Sequence, residues 1–410
     1  MKNCFINVNM RVILLGQITS NIAYYSFLPF LSFYLTDMNF SAAEIGYLIS
    51  YRSIANVIGV VIGGILADRM HQQRVMVFCL SITSCIYLIL LYISDYSTYC
   101  ILLTIIGFLS GVSYPCESVL IMNNTTDENR AAIFSILRVI INIAASIAPI
   151  LAVNVFIKYH ALTFIILSLL NIIYVGAILI FFRGHVENMV VNKKISDAIL
   201  HEINGIKTIF KDYNFLILII AFTLSTVGTC FIETTLPLYL NIYYLKAEYL
   251  YSCILLLNTW MVILLQIPMA RFCKFFGYTK SAILGQILVS ISIAFLTLIN
   301  NSVGLVITFI IFTMGEILIS PGATLLIVDN CSSNNMGKYL SIGKLRLYLA
   351  FPISSSLGGY LLNLKMDRGF LYMYALFALG GACLLLIIMN RINDSSVNIL
   401  RSKVCDNGEF

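Results

Sequence analysis

The chain has 410 residues, of which 60% are hydrophobic and only 11% are charged, and its mean hydropathy is +0.93. A water-soluble domain is about half apolar and about one quarter charged, so this composition excludes that class and indicates an integral membrane protein. The net charge of +6 does not require nucleic acid as a partner. Membrane proteins generally collect positive charge in the loops on one side of the bilayer.

Apolar stretches of about twenty residues recur along the chain, and this is the length with which a helix crosses about 30 Å of hydrocarbon. We therefore predict an all-α membrane protein with twelve transmembrane helices. The predicted spans are 11–36, 44–66, 75–93, 98–122, 131–157, 161–182, 215–240, 249–270, 281–299, 303–327, 339–363 and 370–390.

The lysines and arginines predict the orientation of these spans. With the N-terminus inside, 17 of the 25 lie in cytoplasmic segments, four lie in outer loops and the other four lie inside spans. Cytoplasmic loops carry an excess of lysine and arginine, so we expect both termini to be cytoplasmic.

A polar stretch divides the chain into halves. We predict an N-terminal six-helix bundle (1–182), a cytoplasmic linker (183–214), a C-terminal six-helix bundle (215–390) and a cytoplasmic tail (391–410). Within the linker, apolar residues recur at helical spacing between Ile195 and Phe210, which predicts an amphipathic helix on the inner leaflet. A regulatory domain is the alternative for this segment.

Matching residues indicate that the two halves are repeats. Five residues near the fourth and fifth spans recur 206 positions later: Pro115 with Pro321, Asn124 with Asn330, Ser135 with Ser341, Ile136 with Ile342 and Arg138 with Lys344. Leu28-Pro29 in the first span likewise recurs as Leu236-Pro237 in the seventh span. Duplicated bundles of transmembrane helices would leave such a pattern, so we expect two pseudo-symmetric halves.

The loop after the second span carries the most specific motif. Gly64, Leu66, Ala67, Asp68 and Arg69 match the pattern Gly-x-Leu-Ala-Asp-Arg, and Arg74 follows where the pattern ends in basic residues. In this motif the chain resembles the major facilitator superfamily of transporters. The resemblance implies alternating access, with the Asp68 carboxylate and the Arg69 guanidinium bridging to the neighbouring bundle as a latch.

Further motifs are similar to those of the drug:proton antiporter branch of that superfamily. They are Gly315-Glu316-Ile317-Leu318 with Pro321 in the tenth span, and Asn258 with Gln266-Ile267-Pro268 in the eighth. A glycine motif of that branch, in the fifth span, is replaced here by Ala144, Ala148, Pro149 and Ala152. Small residues are kept, but each glycine has become alanine.

Two acids inside the predicted spans are candidates for carrying the coupling proton. An ionisable group at membrane depth costs about 2.5 to 3.5 kcal/mol on insertion scales, so it needs a partner, a water-filled cavity or a function. Glu316 lies about 20 Å into its span and Glu233 about 27 Å into its own. The alternative for Glu316 is a permanent ion pair, for example with Lys344, and for Glu233 a structural role.

Other polar residues in the spans are candidates for gating or for binding substrate. We expect Glu117 and Arg138, on adjacent spans, to form a structural or gating ion pair. Arg52 faces either the substrate cavity or the carboxylate of the loop motif. The further candidates for the substrate cavity are Asn142, Asn258, Trp260 and Tyr24, although each is also explained by helix packing.

These features predict a secondary transporter that exports a small amphipathic molecule against an inward flow of protons. The alternative is a proton-coupled importer of a nutrient or of a metal chelate such as a siderophore. The sequence has no nucleophile and base pair, ATP-binding loop or metal cluster, so we expect neither an enzyme nor a cofactor. The expected partners are a small-molecule substrate, protons and the lipid bilayer, with a monomer in the plasma (cell inner) membrane and no nucleic acid.

Overall fold

The computed structural model describes residues 7–156, 159–182, 212–329, 336–364 and 368–406, and all regular structure in these ranges is helical. The helices of the first half are α1 (Val8–Phe27), α2 (Leu31–Asp37), α3 (Ala42–Arg69), α4 (Gln72–Leu90), α5 (Tyr96–Asn123), α6 (Asp127–Leu151) with a π-helical turn (Ala152–Phe156), and α7 (His160–Phe181). The helices of the second half are α8 (Tyr213–Thr234), α9 (Leu236–Tyr243), α10 (Ala247–Phe276), α11 (Tyr278–Phe295), α12 (Ser302–Asp329), α13 (Met336–Asn363) and α14 (Phe370–Asp406).

Two of the predicted spans are broken at the matching Leu-Pro pairs. The first span divides into α1 and α2 around Pro29, and the seventh divides into α8 and α9 at Thr235, two residues before Pro237. Proline has no backbone N–H to donate and its ring crowds the preceding turn, so it interrupts a helix or begins one. The residue pair that indicated a repeat thus occupies the same kind of helix break in both halves.

Ten of the helices are long and apolar enough to cross a membrane: α3, α4, α5, α6 with its π-turn, α7, α8, α10, α11, α12 and α14. Every other predicted span is also helical. With 20 and 28 residues, α1 and α13 are long enough, so the first and eleventh spans fall short in apolar character. Polar residues lie in both: Arg11, Gln17 and Asn21 in α1, and Lys338, Lys344 and Arg346 in α13. The number of twelve spans and the orientation of the termini stay predictions.

Unit one is the larger of two compact units and comprises residues 1–192, 231–263 and 351–366. Within it α3 packs along α5, α4 packs on α5 and α7, and α1 packs on α6 and α7. Glycine permits the closest approach: a Cβ on Gly59 would lie 2.2 Å from the carbonyl oxygen of Phe108, and one on Gly111 would lie 2.1 Å from that of Asn56. Close packing of small residues is a common way for membrane helices to associate.

Unit two comprises residues 193–230, 264–350 and 367–410. In this unit α11 packs on both α12 and α14. Gly285 and Gly315 face each other, because a Cβ on Gly285 would lie 2.5 Å from the carbonyl oxygen of Gly315. The predicted amphipathic helix of the linker lies outside the described residues, and α14 continues to Asp406, through most of the predicted tail.

Candidate functional site

The predicted latch residues lie where α3 ends and α4 begins. The backbone N–H of Met70 donates to the carbonyl of Leu66 at 2.8 Å and closes α3. Asp68, Arg69 and Arg74 are exposed, and none of them makes an ion pair within the part of the chain that the structure describes. The bridging contact expected of this motif is therefore not among the described contacts, and the latch stays a prediction.

The glycine that matters for packing at this turn is Gly63, not the motif residue Gly64. A Cβ on Gly63 would lie 2.5 Å from the carbonyl oxygen of Val112 and 2.7 Å from its Cα, whereas a Cβ on Gly64 would have no neighbour within 4 Å. In the structure described, Gly64 is not required for close approach to another helix.

A tight contact between α3 and α13, which we call the α3–α13 seam, consists of Gly46, Ser50, Ser355 and Gly359. The hydroxyls of Ser50 and Ser355 hydrogen-bond at 2.8 Å, and Ser50 also donates to the carbonyl of Pro352 at 2.9 Å. A Cβ on Gly46 would lie 2.4 Å from the carbonyl oxygen of Ser355. The seam lies at the end of unit one that carries the turns 38–41 and 91–95, opposite the end with the latch residues. We call this end the far end.

Further contacts bring segments of the second half against the first half at this far end. The hydroxyl of Ser252 donates to the carbonyl of Pro149 at 3.3 Å, and α9 packs on α2. The ring of Tyr251 contacts those of Phe30 and Phe33, with centroids 5.3 and 5.6 Å apart. Unit one therefore includes an association of first-half and second-half helices, which a gate between two bundles requires.

Glu233, one of the two predicted proton carriers, lies beside aromatic residues in unit one. It is half-buried near the end of α8, and the buried Tyr251 is close enough to interact electrostatically with both Glu233 and Tyr24. The Tyr251 hydroxyl donates to the carbonyl of Ile232 at 3.0 Å, which fixes its ring. Tyr24 remains 39% exposed and packs edge-on against Tyr25. The predicted residues Tyr24 and Glu233 thus both lie within electrostatic range of Tyr251.

Glu117 does not form the predicted ion pair with Arg138. Its carboxylate accepts a hydrogen bond of 2.9 Å from the hydroxyl of Tyr174 and another from the side chain of Gln17. Arg138 is exposed on α6. The prediction of the pair was wrong because spacing along the chain gave the depth of both residues, but not the direction in which α6 presents Arg138.

Arg52 is directed into unit one from α3. Gly107 on α5 packs against it, because a Cβ there would lie 2.1 Å from the carbonyl oxygen of Arg52 and 3.0 Å from its Cγ. The guanidinium lies near the buried Tyr87, and its buried Nε has no hydrogen-bond partner among the described residues. Of the two sequence alternatives, the carboxylate of Asp68 is not its partner.

The other predicted cavity residues lie on α6 and α10. Asn142 and Asn258 are half-buried, and Trp260 is 53% exposed. On α6, Ala144, Ala148 and Ala152, which replace the glycine motif, are all buried.

Glu316, the other predicted proton carrier, lies on α12 in unit two. It is half-buried and follows Gly315, which packs against α11. The side chain of Lys344, its predicted alternative partner, is outside the described residues. Arg346, two residues after Lys344 on α13, lies over the ring of Phe222, with its Cζ 5.7 Å from the ring centroid.

Sequence reasoning missed the polar residues that join helices. Gln17 and Asn21 are four positions apart in an apolar span, and this spacing places them on one face of a helix. That signal was available, but the contacts of Ser50 with Ser355 and of Tyr174 with Glu117 needed the tertiary structure.

Comparison with known proteins gives a family. A family model described as Major Facilitator Superfamily matches residues 13–355. A chain similar in sequence is the uncharacterized MFS-type transporter YqjV of Bacillus subtilis, 24% identical over 314 residues that cover 75% of each chain. Multidrug resistance protein MdtH of Blochmanniella floridana is 25% identical over 362 residues, 85% of this chain and 86% of the relative. A Na(+), Li(+), K(+)/H(+) antiporter of Planococcus maritimus is 21% identical over 248 residues, 57% of this chain and 58% of the relative.

Solved structures show the same fold at low identity. A POT family transporter in complex with 5-aminolevulinic acid superposes with a TM-score of 0.74 and 15% identity, covering 93% of this chain and 96% of the other. The nucleoside transporter NupG superposes with a TM-score of 0.76 and 15% identity, covering 94% of this chain and 98% of the other. At this identity the similarity is one of fold.

Proposed function

Because the chain belongs to the major facilitator superfamily, and is thus a multi-pass membrane protein for secondary transport, we propose that it exports a small amphipathic molecule in exchange for protons. The observation that carries this proposal is the setting of Glu233. The Glu233 carboxyl group and the Tyr24 ring both lie within electrostatic range of the buried Tyr251, which places a negative charge in aromatic surroundings. Aromatic rings bind apolar groups, and a carboxylate binds a cationic group or a proton.

The direction of transport is supported by the names of two relatives. MdtH is named as a multidrug resistance protein and the Planococcus protein as an antiporter of alkali cations with protons. The rival is proton-coupled import of a nutrient or metal chelate. The alanines at the glycine motif of α6 favour this rival, since the antiporter branch that the sequence resembles has glycine there. The proposal is nevertheless for export.

Glu316 and Glu233 are proposed to carry the coupling proton. Both are half-buried acids in apolar helices, and an ionisable group in that position is costly unless it has a partner or a function. A bound proton would be released when a cationic or amphipathic substrate takes its place, which gives exchange. This step needs two protonation states of the same carboxyl group, one in each conformation of the transporter.

Substrate is proposed to bind near Arg52, Asn142, Asn258, Trp260 and Tyr24. Arg52 has a buried nitrogen without a described hydrogen-bond partner, and Trp260 and Tyr24 keep accessible ring surface. These side chains offer one cation, two amides and two aromatic rings, a set suited to an amphipathic molecule with one polar end.

The conformational change is proposed to be alternating access. Opening and closing of the α3–α13 seam would gate the far end, and Gly64, Asp68, Arg69 and Arg74 would gate the other. Glu117, Arg138 and Lys344 are further gating candidates. We place the chain in the plasma membrane as a monomer, with both termini cytoplasmic.

Transport into membrane vesicles of opposite orientation tests this function. The panel contains a fluorescent amphipathic cation, an alkali cation, a dipeptide, a nucleoside and a ferric siderophore, each with and without an imposed proton gradient. We expect accumulation of the amphipathic cation in inverted vesicles that are acidic inside, and none when the gradient is collapsed. Accumulation of the dipeptide, nucleoside or siderophore in right-side-out vesicles instead would establish the importer.

A further inference from the structure

We propose that Glu117 is a proton-binding site, from which a line of polar side chains on α1 leads toward Glu233. This inference rests on the proposed proton coupling but concerns a group to which the sequence gave only a gating role. It depends on four features of unit one: the donors to Glu117, the slot that admits one of them, the polar face of α1 and the surroundings of Glu233.

The donors to Glu117 are neutral and come from two different helices. The Tyr174 hydroxyl on α7 lies 2.9 Å from Oε1, and Gln17 on α1 supplies the second hydrogen bond. A phenol can donate to a carboxylate and can accept from a protonated carboxyl, and an amide also has both capacities. The site can therefore accommodate Glu117 both with and without a proton.

A glycine on α1 admits the phenol to this site. A Cβ on Gly16 would lie 1.9 Å from Cζ of Tyr174 and about as close to the neighbouring ring atoms. The ring thus occupies space that any other residue at position 16 would fill. The hydrogen bond between Tyr174 and Glu117 consequently depends on the missing side chain of Gly16.

The amide of Gln17 continues the network along α1. Asn21 donates from its side-chain nitrogen to Oε1 of Gln17 at 3.1 Å and to the backbone carbonyl of Gln17 at 2.7 Å. Because Oε1 of Gln17 accepts from Asn21, its nitrogen is directed to Glu117. The three side chains form one chain of hydrogen bonds from α5 to the middle of α1.

The same face of α1 leads on to Glu233. Tyr24 and Tyr25 follow Asn21 by three and four positions, so they lie on the same side of the helix one turn further along. Tyr24 interacts electrostatically with Tyr251, which interacts in the same way with Glu233. From Gln17 to Tyr24 the helix rises by about 10 Å, about one third of the hydrocarbon layer.

No cation contacts Glu117 among the described residues. The helices packed against α5 are α3, α4 and α1, with α7 reaching it through Tyr174. Tyr174 is the titratable group that faces the carboxyl group, and Gln17 is the other contact. The charged or titratable residues on these helices that lie elsewhere include Arg11, Glu44, Arg52, Asp68, Arg69, Arg74 and Cys79. A fixed ion pair therefore does not hold Glu117 permanently in its charged form.

Infrared difference spectroscopy of the full chain in lipid nanodiscs tests this site without a substrate. The signal is the C=O stretch of protonated carboxyl groups, recorded while the pH is raised from acidic to alkaline. We expect a band that disappears on titration in the wild type and is missing in Glu117→Gln. In Tyr174→Phe the band should shift, because the protonated carboxyl group loses its hydrogen bond with the phenol. Glu248→Gln, at the start of α10, is the matched control and should keep the band.

The outcomes separate this site from the proposed function. If the wild type and Glu117→Gln give identical spectra, or if Tyr174→Phe leaves every band in place, Glu117 is not a proton site. Should Glu117→Gln fail to fold, the Tyr174→Phe spectrum decides. A titrating Glu117 band in a protein that moves no protons with its substrate would leave the site standing and overturn the coupling instead.

Discussion

Replacing Gly46 with alanine should open the α3–α13 seam. The new Cβ would lie 2.4 Å from the carbonyl oxygen of Ser355 and 3.0 Å from Cα of Gly359. Both are backbone atoms, so neither can rotate away as a side chain could. Ordinary contact begins at 3.4 Å, and the two helices must therefore separate by about 1 Å.

The separation has an energetic cost that can be estimated from the contacts. Ser50 would lose its hydrogen bonds of 2.8 Å to Ser355 and 2.9 Å to Pro352, since another 1 Å exceeds hydrogen-bond distance. Each bond contributes about 0.5 to 1.5 kcal/mol, and overpacking costs about 1 to 3 kcal/mol. A total of about 2 kcal/mol or more would shift the equilibrium away from the closed seam by about 30-fold.

Electron–electron distance measurements between spin labels at Tyr92 and Leu245 provide the assay. Both positions are exposed in far-end turns of unit one and are outside the seam. They are labelled as cysteines in a background whose accessible native cysteines are replaced by serine. We expect Gly46→Ala to move the distance distribution to longer values.

Gly176→Ala is the matched control, because it makes the same change in α7 of the same unit, where no atom lies within 4 Å. It should give the wild-type distribution. A wild-type distribution for Gly46→Ala as well would refute the assignment of the seam as the closing contact.

Three further outcomes are expected. Gly63→Ala should lower the free energy of unfolding in detergent by about 1 to 3 kcal/mol, because its Cβ would lie 2.5 Å from a backbone oxygen of α5. Thermal unfolding of this variant and of Gly64→Ala measures the difference, and equal melting temperatures would contradict it. Asp68→Asn should abolish or severely slow transport in vesicles while the protein stays folded, and wild-type turnover would show that the motif does not gate. A cysteine at Asp95 should react with an impermeant reagent in intact cells while one at Lys274 should not, and the reverse pattern would overturn the orientation.

The helical elements could be predicted from the sequence because membrane depth imposes a simple rule. Each apolar run must satisfy its backbone hydrogen bonds internally, so its length and composition largely determine a helix. The breaks at Pro29 and Thr235 were not predicted, although the matching Leu-Pro pairs mark them. Proline interrupts a helix locally, because it removes one backbone hydrogen-bond donor. A hydropathy average over about twenty residues does not detect such a local interruption.

For the candidate site, the sequence predicted only how deep each residue lies in the membrane. The sequence placed Glu117 and Arg138 at similar depth on adjacent spans. The rotation of α6 about its axis leaves Arg138 exposed, and Glu117 instead accepts a hydrogen bond from Tyr174. Likewise, the motif indicated Gly64, but the contact falls on Gly63, one position away and so about 100° around the helix. Rotation about a helix axis depends on packing with other helices, and spacing along the chain does not determine it.

The proton movement that accompanies substrate transport tests the central claim, proton-coupled export, most directly. The protein is reconstituted in vesicles with an imposed proton gradient, and a pH-sensitive dye is followed when the substrate identified in the vesicle panel is added. We predict that the substrate discharges the gradient through the wild type, whereas Glu316→Gln gives no proton response but still exchanges labelled substrate downhill. Substrate transport by the wild type without any proton movement would contradict the account. A wild-type proton response in Glu316→Gln would indicate that Glu233, and not Glu316, carries the coupling proton.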